Sequence, residues 1–171
     1  IICLLDGKKI LTKFYKHNTG KMSKTYYKKS NDFIIASGLH SLYLPILREN
    51  YNLKIFLDIE ESLRIFLKNN RDLIERGQTK KEINNFIDMR KKDGKNFIRP
   101  QLQFADLVFL LETAEENFVY SNIKKIPKLK LTVKTRRQFN ELSLHKVLVG
   151  VCGLHVEVIS NQDGFGTQMI I

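Results

Sequence analysis

Three short apolar runs constrain this chain most: Phe33-Ile34-Ile35-Ala36, Leu53 to Leu57, and Ala105 to Leu111. Runs of this length and composition fit strands buried on both faces, as in a parallel sheet, and fit poorly to helices, which need ten or more residues to close. Between the second and third run the spacing changes to three and four residues. Leu63, Phe66 and Leu67 share one face of a helix running from Ile59 toward Gly77, with Asp58 as N-cap and Glu60 and Glu61 in its first turn. Thr79-Lys80-Lys81-Glu82 has the spacing of a capping box, and Ile83, Phe86, Ile87 and Arg90 follow at helical intervals. A strand–helix–strand–helix–helix–strand order predicts an α/β fold, a parallel sheet with crossover helices.

The flanks read differently. Ile1 to Leu5 is too short to decide between helix and strand and is compatible with a helix ending at Gly7. Ile10 to Tyr15 predicts a short strand, the lysine-rich stretch 16–31 a surface loop near a site, and Leu39 to Leu47 a helical stretch. Toward the C-terminus, Lys128 to Val133 alternates like a strand, and Leu142 to Val149 fits helix or strand. His155 to Ser160 and Gln168 to Ile171 flank Asn161-Gln162-Asp163-Gly164 as a hairpin would.

Charge and cysteine usage narrow the partners. A formal charge of +11 over 171 residues favours polyanions or phosphorylated small molecules. The lysines spread along the whole chain, with no compact basic arm and no aromatic-basic motif, which argues against a nucleic-acid module. Cys3 and Cys152 belong to no metal-ligand spacing and are expected as buried, reduced thiols, which fits the cytoplasm. His145 and His155, ten apart with no third ligand, fit packing or surface roles better than a metal. No apolar run is long enough to predict a membrane span.

The segment with most chemical content is Lys68-Asn69-Asn70-Arg71-Asp72-Leu73-Ile74-Glu75-Arg76-Gly77. Arg71 and Arg76 lie five apart, and on a terminating helix both guanidiniums can reach one anionic ligand. Arginine suits phosphate because its planar fork donates paired hydrogen bonds and keeps its charge. From spacing alone, the commoner reading is a solvated helix face with Asp72, Glu75 and the arginines pairing locally.

An ordered series of motifs goes further. Tyr15-Lys16-His17-Asn18-Thr19-Gly20-Lys21, Phe33 to Tyr43 with Ser37-Gly38-Leu39-His40, Leu53 to Asp58, Arg71-Asp72 with Glu75-Arg76-Gly77, Arg90 to Asp93 with Phe97-Ile98-Arg99-Pro100-Gln101, and Phe104 to Val108 stand in sequence. In order and distance they resemble the phosphoribulokinase/uridine kinase family over about residues 4–112. The resemblance is nearer the phosphoribulokinase branch, through Gly38-Leu39-His40 and His17-Asn18-Thr19-Gly20.

The resemblance implies a P-loop kinase-like fold: a parallel sheet with helices on both faces, its N-terminal part missing here. Residues 1–112 would form the kinase-like domain, with a lid over 68–101, and 113–171 a C-terminal strand and hairpin extension of it. It implies transfer of the terminal phosphoryl of ATP to a hydroxyl of a small anionic, sugar-like or nucleoside substrate, with Mg2+. Arg71 and Arg76 would be lid arginines on the phosphates, with Lys68 beside them and Asp72 positioning the cluster. Arg90 would meet an anionic substrate. Tyr15, His17 and Lys21 would lie in the acceptor loop. A second copy of the chain stands among the candidate partners.

Two departures qualify the expectation. The family opens on a Gly-rich loop ending in Gly-Lys-Ser/Thr, and Asp6-Gly7-Lys8-Lys9 does not supply it. Ser37 stands where the family usually has a glutamate near the metal, and a neutral hydroxyl is a weaker magnesium partner. The alternative to a kinase is therefore a non-catalytic binding or regulatory relative that kept the fold without the phosphate-binding loop.

Overall fold

The computed structural model describes residues 2–16, 19–115, 118–120, 127–135, 145–152, 157–159 and 167–170; of 147–148, 157–159 and 167–170 it describes the backbone. The chain divides into two compact units, Ile1–Asn52 and Leu53–Ile171.

In the first unit, α1 (Ile2–Leu5) is a single helical turn that buries Leu4 and ends on Gly7, whose φ of 75° lets the Lys8 N–H reach back to the Cys3 carbonyl at 2.9 Å. Four short strands follow: β1 (Ile10–Thr12), β2 (Tyr15–Lys16), β3 (Lys21–Met22) and β4 (Tyr26–Lys28). β1 pairs antiparallel with β4 and β2 with β3; β1 falls within the strand expected over Ile10 to Tyr15, whereas the stretch expected as a surface loop supplies β3 and β4, the return side of a two-stranded ribbon. Ile10 faces Lys28, whereas Tyr15 faces Met22. The two registers differ by one residue, because Lys13-Phe14 on one side oppose Ser23-Lys24-Thr25 on the other, which is a β-bulge. Buried Ser23 bridges it: its N–H donates to the Phe14 carbonyl at 2.7 Å and its hydroxyl accepts from the Phe14 N–H at 3.0 Å.

The expectation of a buried strand over Asp32–Gly38 fails. No described strand pairs with it, and Phe33 and Ile35 are 89% and 91% exposed. An apolar run signals burial only when neighbouring strands take up its backbone groups, and none among the described residues does. The stretch Leu39–Leu47 forms turns, with a helix, α2 (Pro45–Arg48), only at its end. Pro45 at the first helical turn holds Leu44 extended at φ −84°, ψ 126°, so the helix cannot reach back through it.

The second unit is built on a five-stranded sheet in the order β5-β6-β7-β9-β8, with β5 Ile55–Ile59, β6 Leu107–Thr113, β7 Leu129–Thr135, β8 Glu157–Ile159 and β9 Thr167–Ile170. β5 and β6 are parallel, as the crossover pattern predicts; β7, β9 and β8 join antiparallel, so the sheet is mixed. The C-terminal hairpin is present as the β8–β9 pair, while Asn161 to Gly164 lie outside the described residues.

Helical segments cover both faces of β5–β6. On one face, α3 (Glu61–Ile74) packs Leu63 and Phe66 with Phe118 against Ile59, Leu111 and Tyr120. On the other, Phe56, Ala105 and Val108 pack with Ile98 and Leu102, from the π-helical Gly94–Ile98 and 3-10 Arg99–Phe104 turns that prolong α4 (Lys80–Asp93). Coverage is incomplete: α3 reaches the Ile59 end of β5 only, and Leu57 remains 75% exposed, against the expectation of burial on both faces.

Of the two helix caps read from sequence, one differs. Helix α3 begins at Glu61 with Glu60 as its cap residue, and Asp58 stays in β5. The α4 capping box is formed as predicted: Thr79 Oγ1 accepts from the Glu82 N–H at 3.3 Å, and Glu82 Oε2 accepts from the Thr79 N–H at 2.8 Å. Cys3 and Cys152 are exposed rather than buried, Cys3 because a one-turn helix has one inward position and Leu4 takes it. Among the described residues no helix is long and apolar enough to cross a membrane.

Candidate active site

Helix α3 carries the site. Its length is set by the strong amphipathic pattern that seats Leu63 and Phe66, and its end by Gly77. At φ 64°, Gly77 turns the chain so that the Gln78 N–H closes on the Asp72 carbonyl at 3.0 Å. This fixes Asp72 in the last turn, where its side chain is buried to 2% exposure.

A carboxylate so buried needs compensation, and three cations supply it. Arg71 Nε donates to Oδ1 at 2.9 Å, Arg76 Nη1 pairs with the same oxygen at 3.2 Å as an ion pair, and Lys68 Nζ stands 3.8 Å from Oδ2. Arg71 and Arg76 thus reach one anion, which here is the Asp72 carboxylate; the local pairing and the convergence suggested by spacing describe the same arrangement. The Arg71 hydrogen bond, more than the Coulombic pull of the neighbouring cations, holds the Asp72 carboxyl below the ordinary aspartate range. Burial pushes the Lys68 ammonium down; Asp72 opposes this, and Arg90, Arg64 and Arg71 add to it as like charges. Arg90, exposed on α4, is therefore near enough for its charge to act on the cluster. The arginines keep about half of their side-chain surface in solvent, 45% and 48%, so an incoming anion can meet them without unfolding the helix.

The other expected site residues lie in the first unit. Tyr15 and Lys21 are on the ribbon strands β2 and β3, both exposed; His17 lies outside the described residues. Ser37 is exposed in the unpaired segment 33–37, and among the described residues no three His, Cys, Asp or Glu side chains gather as metal ligands.

Three polar groupings were not read from sequence. Glu60, at the carboxyl end of β5, accepts from the Ser62 hydroxyl and from Tyr120 at 3.1 Å, and its other oxygen accepts from the Thr113 N–H at 3.3 Å. It therefore ties the start of α3 to the end of β6, and these hydrogen bonds, Ser62 foremost, hold its carboxyl below the ordinary glutamate range. Asp58 pairs with Arg99 Nη1 at 2.6 Å. Asp106 accepts from the Lys54 N–H at 2.9 Å and pairs with its ammonium at 3.1 Å, joining the starts of β5 and β6. Each joins residues some forty to sixty positions apart, beyond any local spacing rule; the only available signal was a carboxylate set inside an apolar run, as at Asp106.

The family description "Phosphoribulokinase / Uridine kinase family" matches residues 1–116. The chain is 32% identical over 138 residues to a phosphoribulokinase from Synechocystis sp., an overlap of 81% of this chain and 41% of that protein. It is 32% identical over 95 residues to a uridine kinase from Streptococcus equi subsp. zooepidemicus, covering 55% of this chain and 45% of that protein. The chain thus spans under half the length of these relatives. Among solved structures, phosphoribulokinase from Rhodobacter spheroides superposes with a TM-score of 0.65 over 95% of this chain and 60% of that one, at 16% identity, a likeness of fold. The motif series, the α/β sheet and these matches agree, and the chain belongs to the phosphoribulokinase/uridine kinase family.

Proposed function

We propose that the protein takes part in ATP-dependent phosphoryl transfer to a hydroxyl of a small sugar-like or nucleoside substrate. The observation that carries this is the convergence of Lys68, Arg71 and Arg76 on one buried carboxylate at the end of α3. In this reading Asp72 preorganises the three cations. A guanidinium has five N–H donors, and each arginine gives Asp72 a single contact, so donors remain for phosphate oxygens. Charge spread over the transferred phosphoryl is what such a cluster stabilises, without reorganising at the moment of transfer. By the family resemblance, Arg90 would draw an anionic substituent of the acceptor, and Tyr15, His17 and Lys21 are the residues of the acceptor loop. Magnesium belongs to the reaction the family implies, but the described residues do not make a site for it: Ser37 offers one exposed neutral hydroxyl and no carboxylate partner.

Residues 1–112 would be the kinase-like portion and 113–171 an extension of the same domain, a reading supported by the way β7, β9 and β8 continue the sheet that β5 and β6 begin. The test is steady-state turnover of the full-length protein with ATP against a panel of pentose phosphates and nucleosides. Arg71→Ala and Arg76→Ala should each lower kcat by about 10²- to 10⁴-fold, as loss of a single transition-state cation does elsewhere; Arg71→Ala, which deprives the buried Asp72 of a hydrogen bond, should also lower the melting temperature, and Arg76→Ala should lower it less. Unchanged turnover with earlier melting would make the arginines structural and overturn the assignment.

A further inference from the structure

Read along the sequence the lysines look dispersed, but the ribbon gathers them. Residues 8–29 hold eight lysines, and no Asp or Glu occurs from Gly7 to Asn31. Every one of those lysines is exposed, and among the described residues Lys8 alone pairs with a carboxylate, Asp6 at 3.1 Å. Concentrated like charge on a thin two-stranded ribbon is unfavourable unless a polyanion or salt screens it.

The apolar residues on the same ribbon point to the kind of polyanion. Leu11 and Tyr27 face one another across the β1–β4 ladder, and they are 61% and 71% exposed. Beside them Phe14 meets Tyr26 edge to face at 6.1 Å, and both rings are exposed. Solvated lysines alone would need no such surface. Aromatic faces presented at intervals along a backbone of ammonium groups suit a strand whose phosphates and unstacked bases are both available. A duplex hides its bases and would use the lysines alone; an acidic peptide would leave the rings unused. We propose that the paired strands β1 and β4, with Phe14 beside them, are a binding surface for single-stranded nucleic acid.

The experiment is a fluorescence-anisotropy titration of the full-length protein with a labelled oligo-deoxythymidylate of about twenty nucleotides, long enough to exceed typical single-strand site sizes. Saturable binding is expected to weaken with salt, with a log–log slope of about −3 if roughly four lysines meet phosphates. Tyr27→Ala should weaken binding about 10-fold with the slope unchanged, as loss of one stacked base does. Lys28→Glu with Lys29→Glu should make the slope shallower by about 1.4. Lys80→Glu with Lys81→Glu, an equal change of charge on α4, should do markedly less. The surface is not a single-strand site if no saturable binding occurs, if Tyr27→Ala has no effect, or if the α4 pair matters as much as the ribbon pair. Comparison of wild type with a duplex and with polyglutamate needs no variant: equal competition by either overturns the proposal.

Discussion

Asp72 shows how one side chain can be both a structural liability and an organiser. Its carboxylate is buried, and its pKa lies below the unfolded value because Arg71, Arg76 and Lys68 favour the charged form. A depressed pKa means that its contribution to stability is complete above the unfolded aspartate pKa of about 3.9 and is lost as pH falls through the folded value. Asp72→Asn should therefore destabilise the protein at neutral pH by on the order of 2 kcal/mol, or about 4–8 °C in Tm for a chain of this size. The gap to wild type should close in acid below about pH 4; thermal melts of both proteins across pH would check this, and a gap independent of pH would assign the loss to packing. At this scale the sequence was informative where the chemistry is local. Lys68, Arg71, Asp72 and Arg76 lie within nine consecutive positions, and the helix period alone brings them together. Glu60, Asp58 and Asp106 were misread or missed, because their partners Tyr120, Arg99 and Lys54 arrive by tertiary folding.

Between α3 and α4, five residues set where the cation cluster ends and the next helix begins. Gly77 holds φ 64° with no atom within 4 Å of where a Cβ would stand. Gly77→Ala should thus cost only the backbone strain, about 1 kcal/mol, and Thr79→Ala the cap, also about 1 kcal/mol. Each should lower Tm by about 2–4 °C, measurable by calorimetry; no loss in Gly77→Ala would mean that the turn relaxes out of the left-handed region. This junction was legible because capping chemistry is written in adjacent residues. The 32–38 segment was not: its composition is that of a buried strand, yet burial depends on partners that no local pattern specifies, and Phe33 and Ile35 stand in solvent. The return side of the ribbon, β3 and β4, was missed for a related reason. β1 and β4 are held by pairing across a bulge, and a lysine-rich stretch with few apolar alternations carries little register information.

For the molecule as a whole, the 171-residue polypeptide contains no Gly-Lys-Ser/Thr loop, the feature that normally supplies most backbone contacts to ATP phosphates. Residues 1–171 alone should bind ATP weakly despite the α3 cations; calorimetry finding micromolar, magnesium-dependent affinity would contradict this. The fold class was readable because β5, α3, α4 and β6 follow one another in the order that a crossover requires. The mixed character of the sheet was not, since strand direction beyond β6 depends on which edge the later strands find. That mixed sheet makes β6 a meeting point of two timescales. Toward β7 it closes by an antiparallel return over a short span, from Thr113 to Leu129; toward β5 it waits for more than forty residues of helix and turn to fold back, from Ile59 to Leu107. The entropy of closing a loop grows with its length, and parallel pairing is slow for that reason. The antiparallel side can therefore assemble first and serve as the template on which β5 is laid, so the part of the chain bearing the cation cluster is the part captured between an early edge and a late one.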